Sequence, residues 1–115
     1  MGKIGGNIEG TIRTKKKVGK NKIGEAIVEW TDKFTHKGWL DMQSADSRRN
    51  TYNSKIKEST HIFICDFHSG IYALADQDTR MVIKGKEYDV KFIDNPMEMD
   101  EMLEIYLKKV GASNA

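Results

Sequence analysis

The residues best suited to chemistry lie in one short segment, His-Ile-Phe-Ile-Cys-Asp-Phe-His, at positions 61–68. His61, Cys65, Asp66 and His68 are all types that bind metals in proteins. The apolar residues between them favour a strand, on which His61 and Cys65 share a face but lie ~13 Å apart at ~3.3 Å per residue. Because zinc ligands lie ~2.0–2.3 Å from the metal, these two cannot share one ion. Asp66 and His68, ~7 Å apart, would need a ligand from another segment. We therefore predict no metal site, and a buried Cys65 with the histidines at the strand ends.

Nucleophilic catalysis is not indicated either. A Cys/His pair needs hydrogen-bonding distance and an oxyanion hole, and the sequence specifies neither. It contains no G-x-S-x-G and no P-loop; Gly-Lys-Ile-Gly-Gly-Asn at 2–7 lacks the spacing and the preceding strand. The acids Glu98, Asp100 and Glu101 are better explained as solvated surface than as an acid–base pair. We predict no catalytic residue, no cofactor and no enzyme activity.

Length and composition limit the class of protein. The 115 residues suit one domain with one core, assigned to 1–115. Charged residues make up 31% and apolar residues 38%, as in globular proteins, and no apolar run approaches the ~18 residues that span a bilayer. The only cysteine, Cys65, cannot form an internal disulfide, which fits a reducing compartment. With no signal-peptide pattern either, we expect an intracellular protein with no membrane partner and no small-molecule substrate.

Charge is distributed unevenly, although the net charge is only +2. Residues 1–22 carry about +6 and are interpreted as a basic flexible arm or edge strand, whereas the remaining residues carry −4. Residues 94–104 contain five acids and no base. The two regions could attract each other within the fold or between copies, or both could simply be solvated. The basic side chains of the first region are Lys3, Arg13, Lys15, Lys16, Lys17, Lys20 and Lys22.

The clearest local signal is the alternation of apolar and polar residues at 79–94. Gly85, after Lys84, supplies the positive φ that a tight turn requires, which predicts a hairpin. The return strand would place Tyr88, Val90 and Phe92 on one face. Further strands are predicted by the same alternation at 7–19, at 24–32 and 33–43 (two strands joined near Thr31–Lys33), and at 60–67.

The apolar spacing of residues 97–110 fits either a helix or a strand. We favour a turn through 97–101 and a strand through 102–110, with a loose tail at 111–115. The predicted fold is therefore all-β, or α+β if a short helix is counted, and is a small antiparallel β-barrel of about six strands. Closure removes most exposed sheet edges.

A long polar segment at 44–59 interrupts the strands. At about 15 residues it exceeds the usual connection of ~4–6 residues, and loops of that length tend to be functional or disordered. Its charged side chains are mostly basic, and we interpret it as a projecting loop.

The order of these pieces resembles the tailed-phage head–tail joining family, also called head-closure or head–tail adaptor proteins. The resemblance covers about residues 24–111 and consists of VEWTDKFTHKGWLDM, the long polar loop, STHIFICDF, the hairpin RMVIKGKEYDVKFI and the closing strand MLEIYLKKV. Cys65-Asp66 stands where members often carry a basic residue, and HSGIYALADQD is more apolar than expected. These departures put local contacts in question and leave the overall plan unchanged.

The resemblance implies a structural protein, not an enzyme, that forms a dodecameric ring under the portal or its adaptor ring. Such a ring retains packaged DNA at the virion head–tail junction and presents a surface to tail proteins, after assembly in the host cytoplasm. By position, the loop residues expected to contact ring neighbours, or channel DNA non-specifically, are Arg48, Arg49, Tyr52, Lys55 and Lys57. The arm residues Lys15, Lys16 and Lys17, with residues 108–115, are expected to dock on the connector. Between subunits we expect an acidic ridge of Glu98, Asp100 and Glu101.

Two alternatives remain open. The first is a nucleic-acid-binding small barrel, in which the N-terminal lysines follow phosphates and exposed aromatic residues stack on bases. The candidate aromatics are Trp30, Trp39, Tyr88 and Phe92, although their alternation with polar residues favours core positions. The second is a tail-completion or tail-terminator protein of similar fold.

Overall fold

A computed structural model describes residues 4–42, 53–75 and 77–110, with Lys57 described by its backbone alone. Six strands dominate: β1 Ile8–Lys20, β2 Ala26–Met42, β3 His61–Asp66, β4 Thr79–Ile83, β5 Lys86–Asp94 and β6 Met102–Lys109. Two short helices, α1 Ser54–Glu58 and α2 Ser69–Tyr72, and a 3₁₀ turn, Pro96–Glu98, lie in the connections. Within these ranges no helix is long and apolar enough to cross a membrane.

The strands close into a barrel in the order β1-β2-β3-β6-β5-β4, and all pairs are antiparallel. This confirms the predicted antiparallel barrel of six strands. Because neighbours are antiparallel, β1, β3 and β5 run in one direction. The connections that follow these three strands therefore lie at one end of the barrel, here called the hairpin end. The last residue of β2, residues 53–60 before β3, the Lys84-Gly85 turn and the last residue of β6 lie at the opposite end, the loop end.

The core consists of the inward-facing side chains of the strands together with Ile71 of α2. Cys65 is fully buried among them, as predicted. Glycine is required where β2 passes closest to this core: a Cβ on Gly38 would lie 2.6 Å from Phe63 Cζ and 2.5 Å from the Ile64 carbonyl oxygen. The fully or nearly fully buried apolar side chains are Ile12, Phe63, Cys65, Ile71, Met81, Ile83, Tyr88, Ile93, Leu103, Ile105 and Leu107.

The predicted hairpin at 79–94 is confirmed. Lys84 and Gly85 have φ values of 50° and 76°, and positive φ at both central residues is the conformation that matches strand twist in two-residue hairpins. The predicted strand over 102–110 is also confirmed, because Met102–Lys109 pairs with β3 on one side and β5 on the other. The helical alternative for this segment is wrong.

The prediction of two strands joined near Thr31–Lys33 is wrong. Residues Ala26–Met42 form one strand of 17 residues. Ile12 pairs with Phe34 while Arg13 pairs with Asp32, so Lys33 is an extra residue in β2. The polar stretch that suggests a turn is a β-bulge, which bends a strand without ending it.

A second bulge changes the predicted core. Val90 pairs with Leu107 while Phe92 pairs with Tyr106, so Lys91 is extra and the side chains after it change face. Ile93 is buried, and Phe92 instead packs on the outside against Tyr106, with ring centroids 6.1 Å apart. The prediction that Phe92 belongs to the core is therefore wrong.

The two tryptophans are also not core residues, contrary to prediction. Trp39 is 44% exposed, and Trp30 is only partly buried, beneath Arg80. Of the four aromatic residues expected in the core, Tyr88 alone is buried. Trp30 and Trp39 lie on the outside of β2. In this strand, apolar side chains lie on the outward face as well as the inward face, so their alternation with polar residues does not identify the core face.

Candidate interaction surfaces

The side chains that suggested chemistry are placed for structural roles. Burial, and then the charge of Asp66, raises the pKa of the Cys65 thiol to about 12, so the thiol is protonated at neutral pH. His68 Nδ1 accepts a hydrogen bond from the Ile71 amide at 3.1 Å and caps α2. In the part of the chain that the structure describes, no group of three or more His, Cys, Asp or Glu is placed to hold a metal ion.

His61 lies at the start of β3, as predicted, and does not approach Cys65 as a partner. Its ring packs edge-on against Tyr88, with centroids 5.2 Å apart, and its Nδ1 lies 2.8 Å from the Thr60 hydroxyl. Burial, followed by the nearby charges of Lys109 and Lys86, lowers the pKa of the imidazole. The neutral ring is therefore favoured at neutral pH, which suits packing more than acid–base chemistry.

The most extended feature is a two-stranded projection, residues 15–30, which we call the hairpin arm. β1 pairs with β4 only as far as Thr14, and beyond that point it pairs with β2 alone. At the tip, Asn21 Oδ1 accepts hydrogen bonds from the amides of Ile23 (3.1 Å) and Glu25 (2.9 Å). The outer half of β1 therefore has a single strand neighbour.

The surface of the hairpin arm combines basic and apolar side chains. The predicted docking residues Lys15, Lys16 and Lys17 all lie on it and are exposed. Ile23 at the tip is 79% exposed. Val18, Ile27 and Val28 are also among the exposed large apolar residues. Since a two-stranded hairpin is marginally stable alone in water, these features are typical of an arm that binds a partner.

An ion-pair ladder crosses the outside of the barrel at the base of the arm. Arg13 contacts Asp32 (Nε–Oδ1, 2.9 Å) and Glu87 (Nη1–Oε1, 3.2 Å). Arg80 contacts Glu87 (3.7 Å) and Asp89 (3.2 Å). The ladder links β2, β1, β4 and β5, so it holds the base of the arm to the barrel.

A second distinctive feature lies at the hairpin end between β5 and β6, at residues 95–101, here called the methionine turn. Met97, Glu98 and Asp100 have φ values of 54°, 53° and 56°, a conformation that non-glycine residues rarely adopt. The nearly buried Asn95 holds the turn: its Nδ2 donates to Asp100 Oδ1 at 2.7 Å, and its Oδ1 accepts from the Asp100 amide at 3.1 Å. Strained backbone that is held in this way is often found at functional sites.

Beneath the methionine turn is an apolar pocket of about 230 Å³, here called the methionine pocket. Its wall includes Ile4, whose amide donates to Asp66 Oδ1 at 2.7 Å and whose carbonyl accepts from Trp39 Nε1 at 3.1 Å. Met97 is 88% exposed and Met99 is 59% exposed at its rim. The pocket is lined by Ile4, Pro96, Met97, Met99, Glu101 and Met102.

The predicted acidic residues lie around this pocket. Glu98 and Asp100 are exposed, and Glu101 lines the pocket wall. Sequence analysis identified the acids but missed the pocket, although the repeated methionines of Met-Glu-Met-Asp-Glu-Met at 97–102 were a visible signal. The Asp100 side chain is engaged by Asn95, so Glu98 and Glu101 are the acids available to a partner.

Of the predicted loop residues, Lys55 alone has a described side chain, and it lies at the loop end, away from the arm and the methionine turn. Arg48, Arg49 and Tyr52 lie outside the described residues, as does the side chain of Lys57. Lys55 is exposed on α1. α1 is capped by Asn53, whose Oδ1 accepts from the Lys55 amide at 2.9 Å, and is tied to β5 by a Lys91–Glu58 contact of 3.6 Å. Of the predicted residues 108–115, positions 111–115 lie outside the described ranges.

Comparison with known proteins identifies the family. The family model described as "Phage head completion protein" matches residues 6–110. Among solved structures, the solution structure of protein SF1141 from Shigella flexneri 2a is similar to this chain, with a TM-score of 0.68 and 15% identity over 98% of this chain and 100% of that chain. No curated protein matches. The SF1141 structure supports the fold alone, and the family match, which spans nearly the whole barrel, shows that the chain belongs to the phage head completion protein family.

Proposed function

We propose that this protein closes the phage head by forming a ring at the portal vertex, which retains the packaged DNA and provides the surface for tail attachment. Family membership makes this a head completion protein, of a structural family, that acts with other phage head and tail proteins. The ring, its dodecameric number, DNA retention and tail attachment are the parts that we propose.

The observation that carries the proposal is the separation of two kinds of interaction surface on one rigid barrel. The helix α1, the described part of the long polar loop, lies at the loop end, and the hairpin arm and the methionine turn lie at the hairpin end. Ring subunits need heterologous contacts, in which different surfaces of neighbours meet, together with axial surfaces for the rings above and below. Because the barrel itself is closed, the projecting segments are the parts best placed to make such contacts.

In this proposal the polar loop faces ring neighbours and the DNA channel, through Arg48, Arg49, Tyr52, Lys55 and Lys57. Basic side chains there would contact phosphates without reading base sequence. The basic arm and residues 108–115 would lie toward the connector or the neighbouring subunit. Assembly would take place in the host cytoplasm, and the mature location would be the head–tail junction of the virion.

The direct test uses DNA-filled heads that lack this protein. On addition of the purified chain, electron microscopy should show extra ring density at a single vertex, and the heads should keep their DNA and accept tails. The variant Lys55→Glu should lose DNA during storage, whereas Lys37→Glu, on the exposed wall of β2, should behave as the wild type. Heads that gain no density would overturn the proposal, and density that appears on free tails instead would favour the tail-terminator alternative.

The second candidate is a nucleic-acid-binding barrel, favoured by the exposed Lys15, Lys16 and Lys17. The stacking platform that this function needs is partly occupied, because the Arg80 guanidinium lies 4.6 Å from the centroid of the Trp30 ring. Under this alternative the monomer should bind single-stranded DNA with an affinity that falls steeply with salt. Under head closure, binding by the monomer should be weak.

A further inference from the structure

We infer that the hairpin arm of one copy inserts Ile23 into the methionine pocket of the next copy in the ring. This inference rests on the proposed ring and names the contact that would join its subunits. It assigns the tip of the arm as the anchor and the methionine turn as its receptor. It also identifies the ligand of the pocket as a second copy of this chain.

Both halves of the contact are exposed within one chain. Ile23 is 79% exposed, and Met97 and Met99 at the pocket rim are 88% and 59% exposed. Contiguous exposed apolar surface with a polar rim marks protein–protein contacts, and Met97 and Met99 form such a surface with the pocket that they line. Among the described residues, nothing covers either half, and we therefore assign the partner of each to a second copy of the chain.

The size and chemistry of the two halves match. The pocket volume of about 230 Å³ is several times the ~30 Å³ that one water occupies in the liquid, which leaves room for a branched apolar side chain. Its methionines are unbranched and adaptable, so they can close around the inserted group. Ile23 lies at the outermost turn of the arm, where Asn21 and Glu25 hold the backbone and leave the side chain free to enter a pocket.

Charge complementarity selects the second copy as the occupant. Lys20 and Lys22 precede Ile23 on the arm, the carboxylate of Glu25 after it is held by Asn21, and Glu98 and Glu101 lie beside the pocket. The segment 94–104 contains five acids and no base, whereas the arm from Lys15 to Lys22 contains five bases and no acid. Such opposite fields steer partners together and fix their register.

The topology also permits the contact. The arm follows β1 and the methionine turn follows β5, so both project from the hairpin end of the barrel. An arm from one subunit and a pocket on the next form a heterologous pair, which repeats from copy to copy and closes into a ring when the rotation allows. Each subunit then gives one arm and receives one.

Cysteine cross-linking of the full chain tests the contact directly. The double variant Ile23→Cys/Met97→Cys, oxidised with copper phenanthroline at low salt and high protein concentration, should give a ladder of disulfide-linked chains. Met42 offers a matched control, because it is 72% exposed but lies at the loop end. Ile23→Cys/Met42→Cys should give at least about tenfold less ladder, the loss expected when an anchor is misplaced. The native Cys65 is buried and should not contribute.

Charge exchange provides an independent measurement. Glu98→Lys/Glu101→Lys should reduce the ladder about tenfold. Adding Lys20→Glu/Lys22→Glu to the same chain should restore it, because the charges on the arm and at the pocket are then exchanged and attract each other again. Recovery of the ladder in this quadruple variant would show that the double variant had lost the contact and had not misfolded.

The same cross-linking on assembled heads separates this inference from the proposed function. Ring density at the vertex without cross-links between positions 23 and 97 would overturn the arm contact and leave head closure standing. Cross-linked ladders from a chain that never binds heads would support the arm contact and overturn head closure. Equal ladders from both double variants, or a ladder unaffected by charge reversal, would also overturn the inference, and cross-linking of Ile23→Cys to a connector subunit would assign the arm to the adjacent ring.

Discussion

The guanidinium of Arg80 lies 4.6 Å from the centroid of the Trp30 ring, and this contact ties β4 to the strand that forms the hairpin arm. The two residues are not neighbours in the sheet: Arg80 pairs with Arg13 of β1, and Trp30 with Lys15 of the same strand. The cation therefore reaches across β1 to cover the tryptophan. The contact defines where the barrel ends and the arm begins.

Removal of this cation should loosen the base of the arm. Arg80→Met keeps much of the apolar stem but loses the cation–π contact and the ion pairs with Glu87 and Asp89. Because these groups are partly exposed, we expect the free energy of unfolding to fall by only about 1 kcal/mol. Amide exchange in residues 15–17 should increase, as measured by NMR. Lys37→Met, in β2 but outside the arm, should leave exchange in the arm unchanged, and equal effects of both variants would contradict the assignment.

Gly38 should be far less tolerant of alanine than Gly19, although both lie in strands. A Cβ at Gly38 would meet the Ile64 carbonyl oxygen at 2.5 Å and the Phe63 ring at 2.6 Å, whereas at Gly19 nothing lies within 4 Å. Overpacking of a close core typically costs 1–3 kcal/mol, so we expect Gly38→Ala to lower the free energy of unfolding by about 2 kcal/mol. Urea unfolding monitored by tryptophan fluorescence would measure it. Gly19→Ala should be neutral, and similar midpoints for the two variants would refute the packing of β2 on β3.

The elements that could be predicted from the sequence are those whose pattern is local. The Lys84-Gly85 turn, the alternation in β3 and the buried Cys65 each depend on residues close together in the chain. The bulges at Lys33 and Lys91 could not be predicted in this way. A bulge is defined by pairing with a distant strand, and it reverses which side chains face the core without altering local composition.

The methionine pocket could not be predicted from the sequence for the same reason, because it depends on residues that are distant in the chain. Its acids and methionines are contiguous in the sequence, but one wall is Ile4, held there by hydrogen bonds to Asp66 and Trp39. No periodicity connects residue 4 with residues 96–102. The acidic segment was therefore predictable as a charged surface, whereas its apolar centre depended on how the chain start crosses β2 and β3.

The raised pKa of Cys65 predicts a pH dependence of stability. The pKa is 9.0 for an ordinary thiol and about 12 in the folded chain, so the unfolded state loses its proton first as the pH rises. The native state then binds more protons, and the free energy of unfolding should fall from about pH 9 upward and level off above about pH 12. Other groups titrate in this range, so the measurable quantity is the difference between wild type and Cys65→Ala in urea midpoints. As the pH rises, the urea midpoint of the wild type should fall relative to that of Cys65→Ala. A difference in midpoints that does not change with pH would contradict the burial of the thiol.

The clamp formed by Asn95 predicts how the methionine turn is held. Asn95→Ala removes the bonds to the Asp100 amide and carboxylate, while Met97, Glu98 and Asp100 remain in left-handed backbone conformations. Loss of a nearly buried partner typically costs 1–3 kcal/mol, and the strained turn has no other described side-chain hydrogen bond to replace it. We expect the free energy of unfolding to fall by about 1–2 kcal/mol and the Asp100 amide to exchange at least about tenfold faster. Asn95→Asp, which keeps the acceptor for the amide but places a carboxylate beside Asp100, should not rescue the turn at neutral pH, because the two charges repel. Full stability of Asn95→Ala would mean that the turn is held by its flanking strands alone.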